Sequence, residues 1–445
     1  MKYLMKGMQM KLLKIKDNQY TLKSEFHEVS SIVSRVCDKT LAQLEQEGVF
    51  VFPNMLKDTE DLSRDQMILK SCNQHYVSGN VMGFLGAGEE RLVIESRFSK
   101  GENDFFFQYL LEKVLNFPDF INLQTSANQE EQMFLLLMFL FPKYLSEAMR
   151  KGIFKTYIQK QYNDGNVRGT IDVARHIRKN IPFTGKIAYH QREYSYDNSL
   201  TELVRHTIEY IRSKAIGHKL LHGIKDAVAQ IVDATPGYKA ADRRKIIEAN
   251  RKNAVRHAYF HEYSVLQQLC ILILQDQEQQ FGIGNHKVYG ILFDGAWLWE
   301  EYVNTLIEER FYHPKNKAGV GVQRLFAGGI GKIYPDFIGR DPENRIIADA
   351  KYKPINNIRN EDYFQVLAYM LRFDAKKGYY LYPEANGIES KKLFLNQGST
   401  YEENVSERKD ICVIKYGLHI PENAVDYNDF VDKLKQREKE FMCFR

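Results

Sequence analysis

Two aspartates and a lysine in the C-terminal third of the chain have the residue types and spacing to hold a divalent cation beside a phosphate. Ile333-Tyr-Pro-Asp-Phe-Ile-Gly339 is followed, after a polar break, by Ile346-Ile-Ala-Asp-Ala-Lys-Tyr-Lys353, which sets Asp336 thirteen positions ahead of Asp349. The intervening Arg340-Asp-Pro-Glu-Asn344 is rich in turn formers, so the two apolar stretches should pair as antiparallel strands that bring the carboxylates together. Side chains alternate along a strand, so Asp349 and Lys351 share a face while Ala350 points away and leaves its carbonyl near the same point. Cutting a phosphodiester requires a nucleophilic water and stabilisation of the charge that builds on phosphate oxygens. A hard divalent cation held by one or two carboxylates serves both needs. The expected ligands are Asp336, Asp349 and the backbone carbonyl of Ala350, and the expected cofactor is Mg2+, with Mn2+ as a substitute. Lys351 would orient the attacking water or neutralise developing phosphate charge. An ordinary surface hairpin with an Asp and Lys pair would show the same short pattern, so the flanking elements must decide.

The pattern is that of the PD-(D/E)xK nucleases, which carry a carboxylate on a helix before the hairpin and a polar helix after it. Gly295-Ala-Trp-Leu-Trp-Glu-Glu-Tyr-Val-Asn-Thr-Leu-Ile307 has apolar residues at 299, 302, 303, 306 and 307, at helical spacing. Glu300 falls at the edge of that stripe and is the candidate third acidic group, whereas Glu301 falls on the far side as a solvated charge. Asn360-Glu-Asp-Tyr-Phe-Gln-Val-Leu-Ala-Tyr369 opens with a capping residue and acidic first-turn residues, and sets Gln365 and Tyr369 one turn apart. Gln365 is counted with the catalytic set, and Tyr369 and Lys353 with the DNA contacts.

With these elements in order, the chain resembles the McrC-like subunits of McrBC-type and LlaJI-type restriction systems. The resemblance extends to Val167-Arg-Gly-Thr-Ile-Asp172, Arg192-Glu-Tyr-Ser-Tyr-Asp-Asn198, Trp299-Glu-Glu-Tyr-Val303, Leu92-Val-Ile-Glu-Ser-Arg-Phe98 and Asn103-Asp-Phe-Phe-Phe107. It implies the Mg2+-dependent endonuclease subunit of a restriction complex that cuts double-stranded DNA with an AAA+ GTPase partner of the McrB kind. Cutting both strands needs two active sites, so transient pairing of two nuclease domains is expected. Two other readings are a stand-alone PD-(D/E)xK nuclease of repair or recombination, and a chiefly structural activator of an NTPase.

Length and composition allow two or three domains. The expected class is mixed α/β: an N-terminal α+β module over 1–130, a mainly helical basic region over 131–275 and a restriction-endonuclease-like PD-(D/E)xK core over 276–445. Helices are expected over Phe26 to Gln46, Met133 to Phe141, Asn198 to Ala215 and Tyr427 to Phe441, and strands at Arg91 to Phe98, Gly378 to Pro383, Lys391 to Leu395 and Ile411 to Tyr416. No apolar run reaches eighteen residues and the first residues lack a signal-peptide core, so a cytoplasmic protein without membrane contact is expected. Cys37, Cys72, Cys270, Cys412 and Cys443 are scattered, which suggests buried reduced thiols and neither a zinc site nor a disulfide framework.

Charge is uneven. Residues 150–260 hold 22 lysines and arginines against 10 acidic residues, a local +12 in a chain whose total is +5. Arg168, Arg175, Arg178, Lys179 and Lys186 form one cluster that would track a DNA backbone, and Arg243, Arg244, Lys245, Arg251 and Lys252 form another. A solvated helix face is the plainer reading of any one of these. The glycines of Gly79-Asn-Val-Met-Gly-Phe-Leu-Gly-Ala-Gly88 lack a following Gly-Lys-Ser/Thr, and Gly328-Gly-Ile-Gly-Lys332 leads into Ile333, so no phosphate loop is expected and nucleotide hydrolysis belongs to the partner. The N-terminal third carries no catalytic constellation. It is assigned to partner docking, with Arg97 as the candidate side chain offered to a partner's nucleotide pocket.

Overall fold

The computed structural model describes residues 11–47, 49–52, 67–101, 103–115, 129–280, 288–314, 321–385, 387, 390–398 and 405–444. The chain forms two compact units, one of Met1–Ala127 with Asn285–Arg445 and one of Asn128–Gly284. The middle segment expected over 131–275 thus corresponds to one unit, while the segments expected as 1–130 and 276–445 share the other.

They share it because they complete one sheet. Its strand order is Lys11–Lys16, Glu90–Glu95, Val81–Ala87, Tyr289–Asp294 and Val49–Phe52, so a strand from beyond the middle unit lies between two from the N-terminal segment. Val81–Ala87 is buried at every residue, which is why it reads as a continuous apolar run and not as an alternating one. Its glycines serve the sheet. A Cβ on Gly83 would lie 2.1 Å from the Ile291 carbonyl oxygen, and one on Gly290 2.1 Å from that of Phe84, so only glycine permits this antiparallel pair to close. Ile15, Val29, Ile32, Val36, Leu85, Leu92, Ile94 and Leu292 build the core on this sheet.

The second sheet of the same unit has six strands in the order Phe311–Tyr312, Phe337–Gly339, Ile346–Ala350, Lys377–Glu384, Val405–His419 and Lys391–Gly398. Phe337–Gly339 runs antiparallel to Ile346–Ala350, with Phe337 opposite Ala348, and Ile346–Ala350 runs parallel to Lys377–Glu384. Parallel neighbours need a crossover, here the helix Asn360–Phe373, which packs on both of those strands. Ile347, Val366, Met370, Tyr380 and Val413 form the core beneath it. The terminal helix occupies Tyr427–Phe441, and Glu438 on it ties three helices together: its Oε1 accepts from the hydroxyls of Tyr109 and Tyr302, each at 2.7 Å.

The middle unit is more than helices. Six helices, Gln129–Met149, Ser199–Arg212, Gly217–His222, Lys225–Ala234, Arg243–Lys252 and Glu262–Gln280, accompany a three-stranded antiparallel sheet of Thr156–Asp164, Ile187–Ser195 and Thr170–Ile171, with the helix Val173–Asn180 against it. The side chains of residues 156–161 alternate between partly buried and exposed, a period of two that marks a sheet within the mainly helical segment. Among the described residues no helix is long and apolar enough to cross a membrane. The five cysteines are free; Cys270 and Cys412 are buried, whereas Cys443 is exposed.

Candidate functional site

The helix Gly295–Ile307 starts where the strand Tyr289–Asp294 ends, and Asp294 caps it by accepting the Ala296 N–H at 2.8 Å. Trp299, fully buried, donates its indole N–H to the Leu381 carbonyl at 2.9 Å, which pins this helix to the strand beside Asp349. Truncating such an anchor costs about 3–5 kcal/mol. Next to it Glu300 is 6% exposed and faces inward, as its place on the apolar stripe predicts.

Asp336 and Asp349 stand on the adjoining ends of the two antiparallel strands. Asp336 Oδ2 accepts the Ala350 N–H at 2.8 Å, so the first aspartate grips the backbone between the second and the lysine. Burial first, then the charges of Glu300 and Asp349, hold the Asp336 carboxyl well above the usual carboxylate range, against the opposing charge of Lys351 and the Ala350 N–H. Three carboxylates that repel one another in a buried corner are unfavourable unless a cation joins them. Their donor set, hard oxygens only, fits Mg2+ or Mn2+. Among the described residues no three His, Cys, Asp or Glu side chains form a ready-made metal cage. Mg2+ does not need one, since it keeps several waters and takes one or two carboxylates.

Lys351 lies at the centre of the polar contacts. Its Nζ is 2.7 Å from Asp349 Oδ2, donates to Gln365 Oε1 at 3.0 Å, and lies 3.6 Å from Asp362 Oδ1. Gln365 in turn donates to the Tyr369 hydroxyl at 2.8 Å. Lys353, just past the end of the strand, pairs with both oxygens of Asp362 at 2.8 and 2.7 Å. Asp362 also caps the Asn360–Phe373 helix by accepting the Arg359 N–H at 2.9 Å. Burial opposes its ionisation, yet the Lys353 hydrogen bond, the Arg359 N–H and Lys351 together keep its carboxyl below the usual value. Sequence reasoning passed over this aspartate although it stands in the first turn of the right helix.

Tyr369 is 3% exposed. Burial, then the Asp349 and Asp336 charges, push its phenol up. It walls the carboxylate corner and is not exposed for the DNA contact expected of it. His313 is the other residue that sequence reasoning missed. It follows the two-residue strand Phe311–Tyr312, its side chain is 5% exposed, and its ring stacks on Phe337. Its Nδ1–H donates to the Asp336 carbonyl at 2.9 Å, while Nε2 lies 3.8 Å from Glu300 Oε1 and 3.6 Å from Glu301 Oε1. Burial alone would lower its pKa, but the Glu301 contact, the Glu300 charge and the Asp336 carbonyl together raise it. Glu301 is therefore paired and not simply solvated. No spacing rule leads from residue 313 to 336; only the edge pairing of Phe311–Tyr312 with Ile338 and Gly339 brings them together.

Among the expected DNA contacts, Arg168, Arg178 and Lys179 are exposed in the middle unit. Arg175 is not. It is 8% exposed, and its guanidinium donates to the Tyr162 carbonyl at 3.0 Å and the Tyr189 carbonyl at 2.7 Å, with Asp172 at 3.7 Å. Its charge is committed inside the fold. Arg97, expected to reach a partner, is likewise turned inward: its side chain is 8% exposed and pairs with the fully buried Asp17 at 3.4 Å. Burial pushes Asp17 up to about 6 even beside that guanidinium.

A sequence model of the family described as McrBC 5-methylcytosine restriction system component matches residues 77–383, a span that contains Glu300, Asp336, Asp349, Lys351 and Gln365. A search of the curated proteins found no match. Among solved structures, a chain in the refined half-complex of Thermococcus gammatolerans McrB AAA+ hexamers with bound McrC is 15% identical with a TM-score of 0.49, covering 96% of this chain and 99% of that one. A chain of the McrBC complex from the same organism is 14% identical with a TM-score of 0.34, covering 67% of this chain and 87% of that one.

Proposed function

Because the chain belongs to the family of McrBC 5-methylcytosine restriction system components, and because three carboxylates and a lysine converge in one buried corner of it, we propose that it is the DNA-cleaving subunit of such a system. In this reading the six-stranded sheet with its flanking helices is a restriction-endonuclease-like PD-(D/E)xK core. The reaction is Mg2+-dependent hydrolysis of phosphodiesters in double-stranded DNA, coupled to a GTP-hydrolysing AAA+ partner. The observation that carries it is the geometry of the corner, where Asp336 grips the Ala350 N–H at 2.8 Å beside buried Asp349 and Glu300, an arrangement of like charges that a bound divalent cation would stabilise.

Asp336, Asp349 and the Ala350 carbonyl would hold the cation, which supplies Lewis-acid stabilisation of charge building on the phosphate. Lys351 is fixed from two sides, by Asp349 and by Gln365. Its ammonium is thus placed before the substrate arrives, so orienting water or a phosphate oxygen needs no rearrangement during the reaction. Lys353, 30% exposed at the mouth of the site, would meet the DNA backbone. Exposed Arg168, Arg178 and Lys179 would supply contacts that do not read sequence. One such site cuts one strand, so double-strand cleavage calls for transient pairing of two copies.

The test is cleavage of methylated and unmethylated duplex DNA by the purified chain with its AAA+ partner, GTP and Mg2+. Asp349→Asn should abolish cutting while leaving the fold and partner assembly intact. Wild-type cleavage by that variant would overturn the reading.

A further inference from the structure

Resting on the nuclease reading, we infer that Arg97 is a positioning residue that fixes Lys351 through the backbone of Tyr352, so that the N-terminal module is part of the catalytic apparatus. Tyr352 stands between Lys351 and Lys353. Lys351 and Lys353 both turn to Asp362, whereas the Tyr352 side chain, 4% exposed, is driven into the N-terminal module. Its hydroxyl lies 2.7 Å from Ser96 Oγ and 3.2 Å from Met82 Sδ, and its ring meets Phe98 edge-on at 4.9 Å. The helix that carries Glu300 closes the socket: a Cβ on Gly295 would come within 2.7 Å of the Tyr352 ring, so glycine is required at that helix start.

Arg97 completes the joint. Its guanidinium lies over the Tyr352 ring at 4.7 Å, and its Nη2 donates to the Tyr352 carbonyl and, at 3.1 Å, to Asn80 Oδ1. Asp17 holds Arg97 in place from both ends, accepting its backbone N–H at 2.6 Å and facing its Nη1 at 3.4 Å. The carbonyl that Arg97 grips is one residue past Lys351, at the point where the chain leaves the sheet. Beyond the Lys351 N–H, which donates to Leu381 at 2.9 Å, the strand ladder ends. Asp349 lies within the ladder and is positioned without Arg97. Lys351, at its last hydrogen bond, depends on what holds the next residue. A planar fork with several donors suits that task, and a single ammonium cannot span the same partners.

The experiment uses the full-length chain with partner, GTP, Mg2+ and duplex DNA. Two variants are compared with wild type: Arg97→Lys, and Asp17→Asn with Arg97→Met, which removes the buried pair without leaving a lone charge. Both should lower kcat roughly 10–100-fold, the scale of a sub-ångström to ångström displacement of a catalytic group, while KM for DNA and the half-saturating Mg2+ concentration stay at wild-type values. In the metal-free protein, hydrogen exchange at the amides of Lys351 and Lys353 should quicken, with exchange in the Val81–Ala87 strand unchanged. Wild-type kcat in either folded variant, or a loss confined to Mg2+ affinity, would refute the positioning role. Asp349→Asn is the control: if it still cuts, the nuclease reading falls; if it is inactive while the Arg97 variants cut normally, only this inference falls.

Discussion

The carboxylate corner around Asp336 and the basic face of the middle unit both concentrate like charge, and they do so in opposite ways. In the corner, burial and the charges of Glu300 and Asp349 together raise the Asp336 carboxyl. On the middle unit, Arg168, Arg178 and Lys179 are exposed, where solvent and salt screen each charge. Burial makes a single charge decisive, because the interior does not screen it. Exposure leaves each charge individually weak and effective only in number. Arg175 makes the same contrast within one helix, since it sits one turn from Arg178 yet is buried and committed to two backbone carbonyls.

The largest effect should come from breaking the corner. Asp336→Asn should eliminate cleavage and, in the metal-free protein, raise the melting temperature, since it removes one of three repelling charges. Wild type should gain stability on adding Mg2+ and the variant should not; differential scanning calorimetry with and without metal reads both. A variant that melts lower than wild type without metal would mean that the carboxylate is held by favourable contacts and not under strain.

Second in size is the contrast inside the helix Val173–Asn180. Arg175→Ala should destabilise the protein by about 2–4 kcal/mol, because the Tyr162 and Tyr189 carbonyls lose their buried donor, while Asp172 keeps His190 at 2.9 Å. Arg178→Ala should leave urea unfolding unchanged. Equal midpoints for the two variants would erase the distinction.

Third, reversing Arg168, Arg178 and Lys179 to glutamate should weaken DNA binding at all sequences. The slope of log affinity against log salt should flatten by about 0.9 for each phosphate that the protein no longer neutralises. A binding titration with an unchanged slope would assign these residues to a merely solvated face.

The smallest effect is a pH dependence away from the site. Asp104 accepts the Ser96 N–H at 2.5 Å and the Phe107 N–H at 3.0 Å, and burial pushes its carboxyl up to about 7 despite both bonds. A carboxyl that binds its proton more tightly folded than unfolded contributes stability that is present below its ordinary value of 3.8 and is lost as pH rises toward 7. Asp104→Asn should therefore lose less stability than wild type between pH 4 and pH 8, as read by denaturant titrations at the two ends. A parallel pH dependence in both proteins would remove Asp104 from the account.

Local rules reached far in the C-terminal segment. The terminal helix covers Tyr427–Phe441 as its periodicity predicts, the hairpin pairs Phe337–Gly339 with Ile346–Ala350, and Glu300 faces inward from the helix stripe. They reached less far in the middle unit. Thr156–Asp164 and Ile187–Ser195 alternate tyrosines with charged and amide side chains on both faces, so no apolar period announces the sheet.

The sequence by itself determined the motif: which carboxylates and which lysine share a strand face, and which helices precede and follow them, because strand and helix periods are fixed by backbone geometry. Tertiary structure decided the rest. Tyr289–Asp294 enters the N-terminal sheet across an intervening unit, His313 reaches Asp336 through an edge strand, and Arg97 and Arg175, both surface candidates by composition, turn inward to bind carbonyls. Whether a charge stays exposed or turns inward depends on which distant backbone groups would otherwise be left without a donor, and only the folded chain brings those groups together.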